Sequence, residues 1–427
     1  MKTICKIAVV ILMGSALRAG AQVAPEATSP GSLGVSGTLT YAARYSHMIE
    51  YYSGQSGQMA SISGNFGYAT TSKHYPFSVN FGAGDSWTLT GPSFDTGPYE
   101  NLNITQNIVG HKWSLDLNDD VSYFQGTPIT GYAGAPGTGA PIGQPSTTPQ
   151  TQTILTLNTV SIGNYATAQY NYQINGSSTV SAGGGSELLR YPNGDGIDTN
   201  GVLANAQWTQ VLDARNSLIG AYSFAQFTFS DVAFTMDTNS PTIGWQRTWT
   251  RSVTSFVSAG PQWISSSLSS YLPSTLGVSI NATVTDSTKI GSANAMYSHG
   301  FMGGAGYMYG GVMDTVSGGF NRTFGSDVAS QYNLSLSSGY YRNAPIDAQQ
   351  QQAQQQFPIA GIDGTITGVF GSGQVTRNLG RYFSAYANYT GSTQSTGSAV
   401  PGNVLTTLWQ VISFGIGFTP QPLQLRH

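Results

Sequence analysis

Residues 330–340 read SQYNLSLSSGY, with Tyr332, Leu334, Leu336 and Tyr340 on one parity and Gln331, Asn333, Ser335 and Ser337 on the other. The same two-residue period recurs along the chain. Leu33, Val35, Leu39, Tyr41, Ala43 and Tyr45 oppose Ser36, Thr38, Thr40, Arg44 and Ser46; Ala166, Ala168, Tyr170, Tyr172 and Ile174 oppose Thr167, Gln169, Asn171, Gln173 and Asn175; Leu276, Val278, Ile280, Ala282 and Val284 oppose Thr275, Gly277, Ser279, Asn281 and Thr283. A period of two means a strand with one apolar and one polar face. Each run extends for about ten residues or more, longer than the usual five or six of a globular sheet and suited to a tilted strand crossing a bilayer. Such a strand separates either a core from bulk water or lipid from a water-filled lumen.

Processing and composition narrow that choice. Lys2 and Lys6 precede an apolar run from Ile7 to Met13, followed by Ala19-Gly20-Ala21. This is the pattern of a secretory signal peptide, with cleavage expected after Ala21. The chain's single cysteine, Cys5, precedes the apolar run and is expected to leave with the peptide. No disulfide then holds the mature protein together. Charged residues make up 8% of the sequence, against about 25% in ordinary globular chains. Gly (54) and Tyr (24) are abundant, favouring strands and turns over helices. The small net charge of −3 offers nothing to a nucleic-acid partner.

The connections between alternating runs also alternate. Looser segments such as SFDTGPY, RYPNGDGIDTNG, NAPIDAQQQQAQQQFPIAG and the long stretch from Gly126 to Gln150 interleave with tight ones such as GHK, NGSS, DARNS, DSTK and NLGR. Nine loose and eight tight connections imply about eighteen strands, within a range of 16–18. The expected fold is all-β: a transmembrane antiparallel up-and-down β-barrel with short periplasmic turns, longer extracellular loops and both termini in the periplasm. Its organisation would be a signal peptide over 1–21, a short periplasmic segment over 22–32, the barrel over 33–420 and a C-terminal tail over 421–427.

With these features, the chain resembles the porin-like outer-membrane β-barrel proteins of diderm bacteria. The resemblance covers residues 33 to 420 and includes the final segment LWQVISFGIGF, where Ile412, Phe414, Ile416 and Phe418 share a face. Phe414, Ile416 and Phe418 are thus candidates for the C-terminal strand read by the barrel-assembly machinery. Such chains commonly stop on the terminal aromatic, whereas TPQPLQLRH follows Phe418 here. The resemblance implies residence in the outer membrane with its lipid, assembly by that machinery, passive channel activity without catalysis or cofactor, and leaves homo-oligomerisation open.

Several residues test this reading. Arg247 shares parity with Trp245 and Trp249, and Arg322 with Phe320 and Phe324; either these arginines snorkel at an aromatic girdle or a bulge flips the local parity. Asp119, on the parity of Leu117 and Val121, suggests a bulge at Asn118–Asp120. None of His47, His74, His111, His299 and His427 has a persuasive Ser or Asp partner in the sequence, so no active site is expected. Asp195 and Asp198 are read as a solvated turn before a calcium loop, and the Gln349–Gln356 region as a surface loop before a helix in the pore mouth. The candidate lumen residues are Arg44, Glu50, Tyr382 and Tyr386. Besides an open channel for small polar, sugar-like solutes, the pattern admits an occluded barrel serving as a surface scaffold or export conduit, and a secreted β-rich adhesin. A β-solenoid adhesin would show a fixed-length repeat, and none is present.

Overall fold

The computed structural model describes residues 37–52, 55–70, 72, 74–91, 97–125, 160–193, 198–230, 234–267, 274–302, 311–325, 327–344, 365–396, 407–421 and 423–425. The Gln-rich stretch, Asp195 and the proposed signal peptide lie outside them. The strands are β1 (Gly37–Tyr52), β2 (Gln55–Thr70), β3 (Phe77–Thr90), β4 (Pro98–Val109), β5 (Trp113–Gln125), β6 (Val160–Asn175), β7 (Ser178–Arg190), β8 (Thr199–Val211), β9 (Asn216–Phe229), β10 (Phe234–Thr248), β11 (Val253–Ser266), β12 (Thr275–Thr288), β13 (Gly291–Met302), β14 (Gly311–Phe324), β15 (Tyr332–Ala344), β16 (Ile366–Leu379), β17 (Phe383–Thr396), β18 (Thr407–Phe418) and a short β19 (Leu423–Leu425).

Each strand from β1 to β18 pairs antiparallel with its sequence neighbours. β1 closes the circle against β18, from Ala43↔Phe418 to Tyr52↔Trp409. The fold is therefore an all-β, eighteen-stranded antiparallel closed barrel of the transmembrane kind, which leaves no exposed sheet edge along the closure. β19 adds a clasp, Leu423–Leu425 pairing with the start of β1 at Gly37–Leu39. One end carries tight connections, such as Gly176–Ser177 between β6 and β7 and the Gly380–Tyr382 turn between β16 and β17. Gly380 has φ +89° there, a backbone that other residues adopt only at a cost. The other end carries most of the longer connections, including the spans 126–159 and 345–365, although only residues 53–54 separate β1 from β2 there.

Alternation sorts the side chains onto two walls. Tyr332, Leu336 and Tyr340 point out and are exposed, while Ser335 points in and is buried. The outer wall carries a continuous apolar surface, with Ile243 71% exposed, Leu276 63% and Ile416 55%. No soluble monomer leaves such a band in water; it is the complement of hydrocarbon. A fourteen-residue strand such as β14, tilted by about 45°, rises roughly 33 Å, so the strand ends stand clear of an apolar band of about 25 Å.

The register resolves the residues that broke the alternation. β5 pairs without interruption with β4 and β6 through Asn118, Asp119 and Asp120, so the expected bulge is absent. Asp119 stays on the outer wall because Asn164 on β6 donates its Nδ2 to Oδ1 of Asp119 at 2.6 Å. Register shifts fall instead at Gln58/Met59 and Gln173/Asn175. Arg247 and Arg322 also sit where the ladders run without a register shift, and both are at the tight-turn end facing out. The Arg247 guanidinium lies 4.2 Å from the Trp249 ring centroid, Arg322 lies 5.2 Å from that of Phe324, and Arg377 repeats the arrangement at 5.1 Å over Tyr332. These stacked pairs form a girdle where a charged head reaches the headgroups while its stem covers apolar surface. The ladder between β10 and β11 skips Ser240–Thr242, where Pro241 faces the strand that carries Pro261 and neither can donate an N–H.

Candidate functional site

The barrel's inner wall is the surface on which a channel would act. Inward-facing positions are mostly Ser, Thr, Asn, Gln and Gly, as the period of two requires. Charges among the described inward side chains are few: Arg44 on β1, Asp116 and Asp120 on β5, and Glu187 on β7. They occupy two separate sectors of the wall.

The first sector joins two of the residues expected in the lumen. Arg44 lies 5.3 Å over the ring of Tyr386 on β17, which the closure of β1 on β18 brings within reach despite a sequence separation of 342 positions. The Tyr386 hydroxyl is hydrogen-bonded to Oγ of Ser46, and its ring lies over Gly415, where a Cβ would collide with it. Tyr99 on β4 completes the sector, its ring lying over Gly84. Glycine beneath an aromatic ring is how a barrel wall seats a large side chain flat against itself. Sequence reasoning did not single out Tyr99; the available signal was its inward parity together with Gly84 opposite it.

Glu50 lies on β1 opposite Gly57 and Val411, but its side chain is outside the described set. Tyr382, also expected in the lumen, lies at the tight-turn rim. It belongs to the tight turn before β17 and is 42% exposed, because β17 begins only at Phe383. On β18, Phe414 and Ile416 point outward with 53% and 55% exposure. The Phe418 ring packs at 5.2 Å against that of Phe383, binding the last long strand to its neighbour on the outer wall.

The second sector is a ladder of amides and carboxylates on β4–β6. Asn103 donates to Asn118 at 3.0 Å and to Asp120 at 3.5 Å, Thr105 donates to Asn118 at 3.1 Å, and Asn171 donates to Asp116 at 2.9 Å. Every partner is on a neighbouring strand, so the network holds both carboxylates in fixed positions on a hydrated wall.

Towards the long-connection end the inner wall changes character. Phe227, Phe229, Met236, Ile264 and Phe301 form one buried apolar cluster, and Met48, Met59, Trp409 and Val411 form another. Met313, Tyr341, Ile366 and Phe370 are buried at the same level on β14–β16. Phe229, Met236 and Ile366 are 0% exposed. Inward-facing residues of the tight-turn half, such as Thr40, Gln207 and Thr285, are exposed.

One histidine has the acidic partner the sequence did not reveal. His299 on β13 bonds through Nδ1 to Oδ1 of Asp314 on β14 at 2.7 Å, with Tyr297 donating to the same oxygen at 3.2 Å and Arg342 on β15 at 3.8 Å from Oδ2. Alternation puts this cluster on the outer wall, away from the lumen, with no serine or cysteine in the network. Among the described residues, no three or more His, Cys, Asp or Glu side chains converge as metal ligands would.

No protein-family model matches the chain, and no curated protein matches it. Solved structures do. Pseudomonas aeruginosa OccK5 (OpdH) is similar at 11% identity, covering 91% of this chain and 98% of its own with a TM-score of 0.46. Acinetobacter baumannii OccAB4 follows at 7% identity, with 92% and 99% coverage and a TM-score of 0.45. A bacterial polysaccharide outer membrane secretin is similar at 10% identity, with 89% and 98% coverage and a TM-score of 0.36. At these identities and scores the overlaps carry no functional weight. The strand register alone establishes the architecture, an eighteen-stranded closed antiparallel β-barrel whose inner wall is polar towards the tight turns and apolar towards the long connections.

Proposed function

We propose that the protein is an outer-membrane channel through which small polar solutes, neutral sugars among them, pass by diffusion. The observation that carries this reading is the two-walled barrel, apolar outside and lined inside, over its tight-turn half, with neutral hydrogen-bonding groups. Hydroxyl and amide groups exchange with a solute's hydration shell without demanding a particular charge. The described inward charges, three acidic and one basic, favour cations over anions to a modest degree. The roles we assign are local. Arg44 and Tyr386 form a cation–aromatic step on the wall beside β1, and the Asp116–Asp120 ladder forms an acidic strip beside β5. Phe414, Ile416 and Phe418 serve barrel assembly.

A second reading draws on the buried apolar clusters. If they close the long-connection mouth, the barrel is occluded at rest and acts as a scaffold or as the outer part of an export route. Planar-bilayer recording of the refolded protein separates the two. Stable open steps, interrupted by added neutral sugars, are expected for the diffusion channel. A folded, heat-modifiable barrel without conductance would overturn it in favour of the occluded form.

A further inference from the structure

At the long-connection end, β12 and β13 part. Their ladder runs from Thr288↔Gly291 to Ile280↔His299 and stops. Yet β12 continues through Ser279, Val278 and Gly277, and β13 through Gly300, Phe301 and Met302. Each keeps its other neighbour, Gly277 opposite Gln262 on β11 and Phe301 opposite Val312 on β14. Among the described strands, the β10–β11 ladder is interrupted at Ser240–Thr242 but resumes, and no other ladder stops for good while both strands run on by more than one residue. The two chains remain close, since a Cβ on Gly300 would lie 3.6 Å from Oγ of Ser279. The strands are adjacent there but unzipped.

An amide from β11 takes the place of the missing rung. Gln262 is buried on the inner wall, and its Oε1 accepts the backbone N–H of Phe301 at 2.7 Å. It reaches across β12 where Gly277 presents no side chain. The end of β13 has rolled inward as a result. Alternation with Tyr297 and His299 would put Phe301 outside, but its ring centroid is 6.5 Å from that of Phe227 on β9. Strands so far apart on the circumference can touch only through the interior. On the lumen side the seam is therefore backed by Phe301, Ile264 and Phe227. On the lipid side it is flanked by Leu276 and Val278, 63% and 50% exposed. The His299–Asp314–Arg342 cluster sits where the ladder forks.

We infer that the β12–β13 seam is a lateral gate, through which a single-chain amphiphile passes between the barrel interior and the outer part of the bilayer. Phe301, Ile264 and Phe227 back the seam inside and Leu276 and Val278 flank it outside, so a hydrocarbon chain crosses it along apolar side chains, with Gln262 and Ser279 as the polar groups on its inner side. The backbone groups that would bar the way are held by one side-chain amide in place of a run of ladder bonds. The polar platform at the fork offers hydrogen-bonding partners to a headgroup that stays at the interface. This inference rests on the barrel standing in a membrane, and it does not require an open axial pore.

The test uses the full barrel in lipid vesicles and a diazirine derivative of dodecanoic acid as the probe. Photolabelling is expected both on Leu276–Val278 and on the inward residues Ile264 and Phe301. The double variant Ser279→Cys with Gly300→Cys closes the seam when oxidised. Inner labelling should then fall at least several-fold and return on reduction, while axial conductance stays unchanged. Inner labelling that ignores the staple, or labelling spread evenly around the outer wall, would overturn the gate. Hydrogen exchange on the unaltered chain gives a second reading independent of whether the variant folds. Amides of Gly277–Ser279 that face β13 should exchange at least about ten-fold faster than those of Asn281–Thr283 that do so, and equal protection would refute the unzipped seam.

Discussion

The two halves of the inner wall face the same interior and obey the same period of two, yet they differ in kind. In the tight-turn half, Thr40, Gln207 and Thr285 are exposed to the lumen. In the long-connection half, Phe229, Met236 and Ile366 are fully buried and the cluster around Trp409 nearly so. A barrel needs no core to keep its strands together, because the closed ladder satisfies the backbone. The polar half is sustained by that ladder and by side-chain hydrogen bonds between strands, such as Asn171 to Asp116. The apolar half adds a packed interior, and with it sites where single side chains carry stability.

The largest test of this difference is truncation at matched inward positions. Trp409→Ala should cost about 3–5 kcal/mol of unfolding free energy, as for large buried aromatics elsewhere. Gln207→Ala should stay within about 0.5 kcal/mol, as exposed substitutions do. Reversible urea unfolding into lipid vesicles measures both. Similar costs at the two sites would erase the distinction between the halves.

The outer wall supplies the next test, since Asp119 places a carboxylate among Ile104, Leu117 and Val121. Asn164→Leu removes the one described donor to that carboxylate and should lower stability by about 1–3 kcal/mol, the cost of stranding a polar group. Asp119→Leu should be neutral or raise stability by about 1–2 kcal/mol, since carboxylates on a lipid face cost less than basic groups but still cost. Destabilisation by Asp119→Leu would mean that this face meets water or protein.

A third experiment compares the charged sectors of the polar half. Asp116→Asn combined with Asp120→Asn should lower the cation-to-anion permeability ratio, read from reversal potentials in a salt gradient. Arg44→Gln should raise it. If neither moves, the route for ions bypasses the described inner wall.

The smallest effect is at the turn between β8 and β9. Asn216 donates its side-chain amide to Asp213 at 2.8 Å, and the backbone N–H of Arg215 donates at 2.7 Å, which holds the Asp213 carboxyl below its usual range. Because its folded pKa is depressed, Asp213 contributes stability above the unfolded value of about 3.9, and that contribution disappears as pH falls through the folded value. Asp213→Asn should therefore be less stable than the parent at pH 7, with the gap closing in acid. An unchanged gap would show that hydrogen bonds independent of charge hold this turn.

How much of this was legible in the sequence follows from which forces act locally. The walls, the alternating connections and the strand number depend on neighbours two residues apart or on turns, and Tyr332, Leu336 and Ser335 fall where their parity placed them. Asp119 was misread because parity alone reports a conflict without its remedy; Asn164, 45 positions away, supplies the missing partner. His299 and Asp314 needed the β13–β14 register before they could be paired. The buried belt was missed for a different reason. Met48, Phe229 and Ile366 are inward residues that break the polar alternation, and each reads alone as noise. Only the curvature of the sheet gathers them at one level.

The short strand after Phe418 alters how the ring is fastened. β1 is held by β18 along Ala43–Tyr52 and by β19 along Gly37–Leu39, so the ends of the hoop overlap like a spliced rope instead of meeting at a butt joint. A force that peels β1 away from β18 must also strip the splice at the tight-turn rim, and the two contacts load in parallel. The residues beyond the last membrane strand thereby become a fastening for the first.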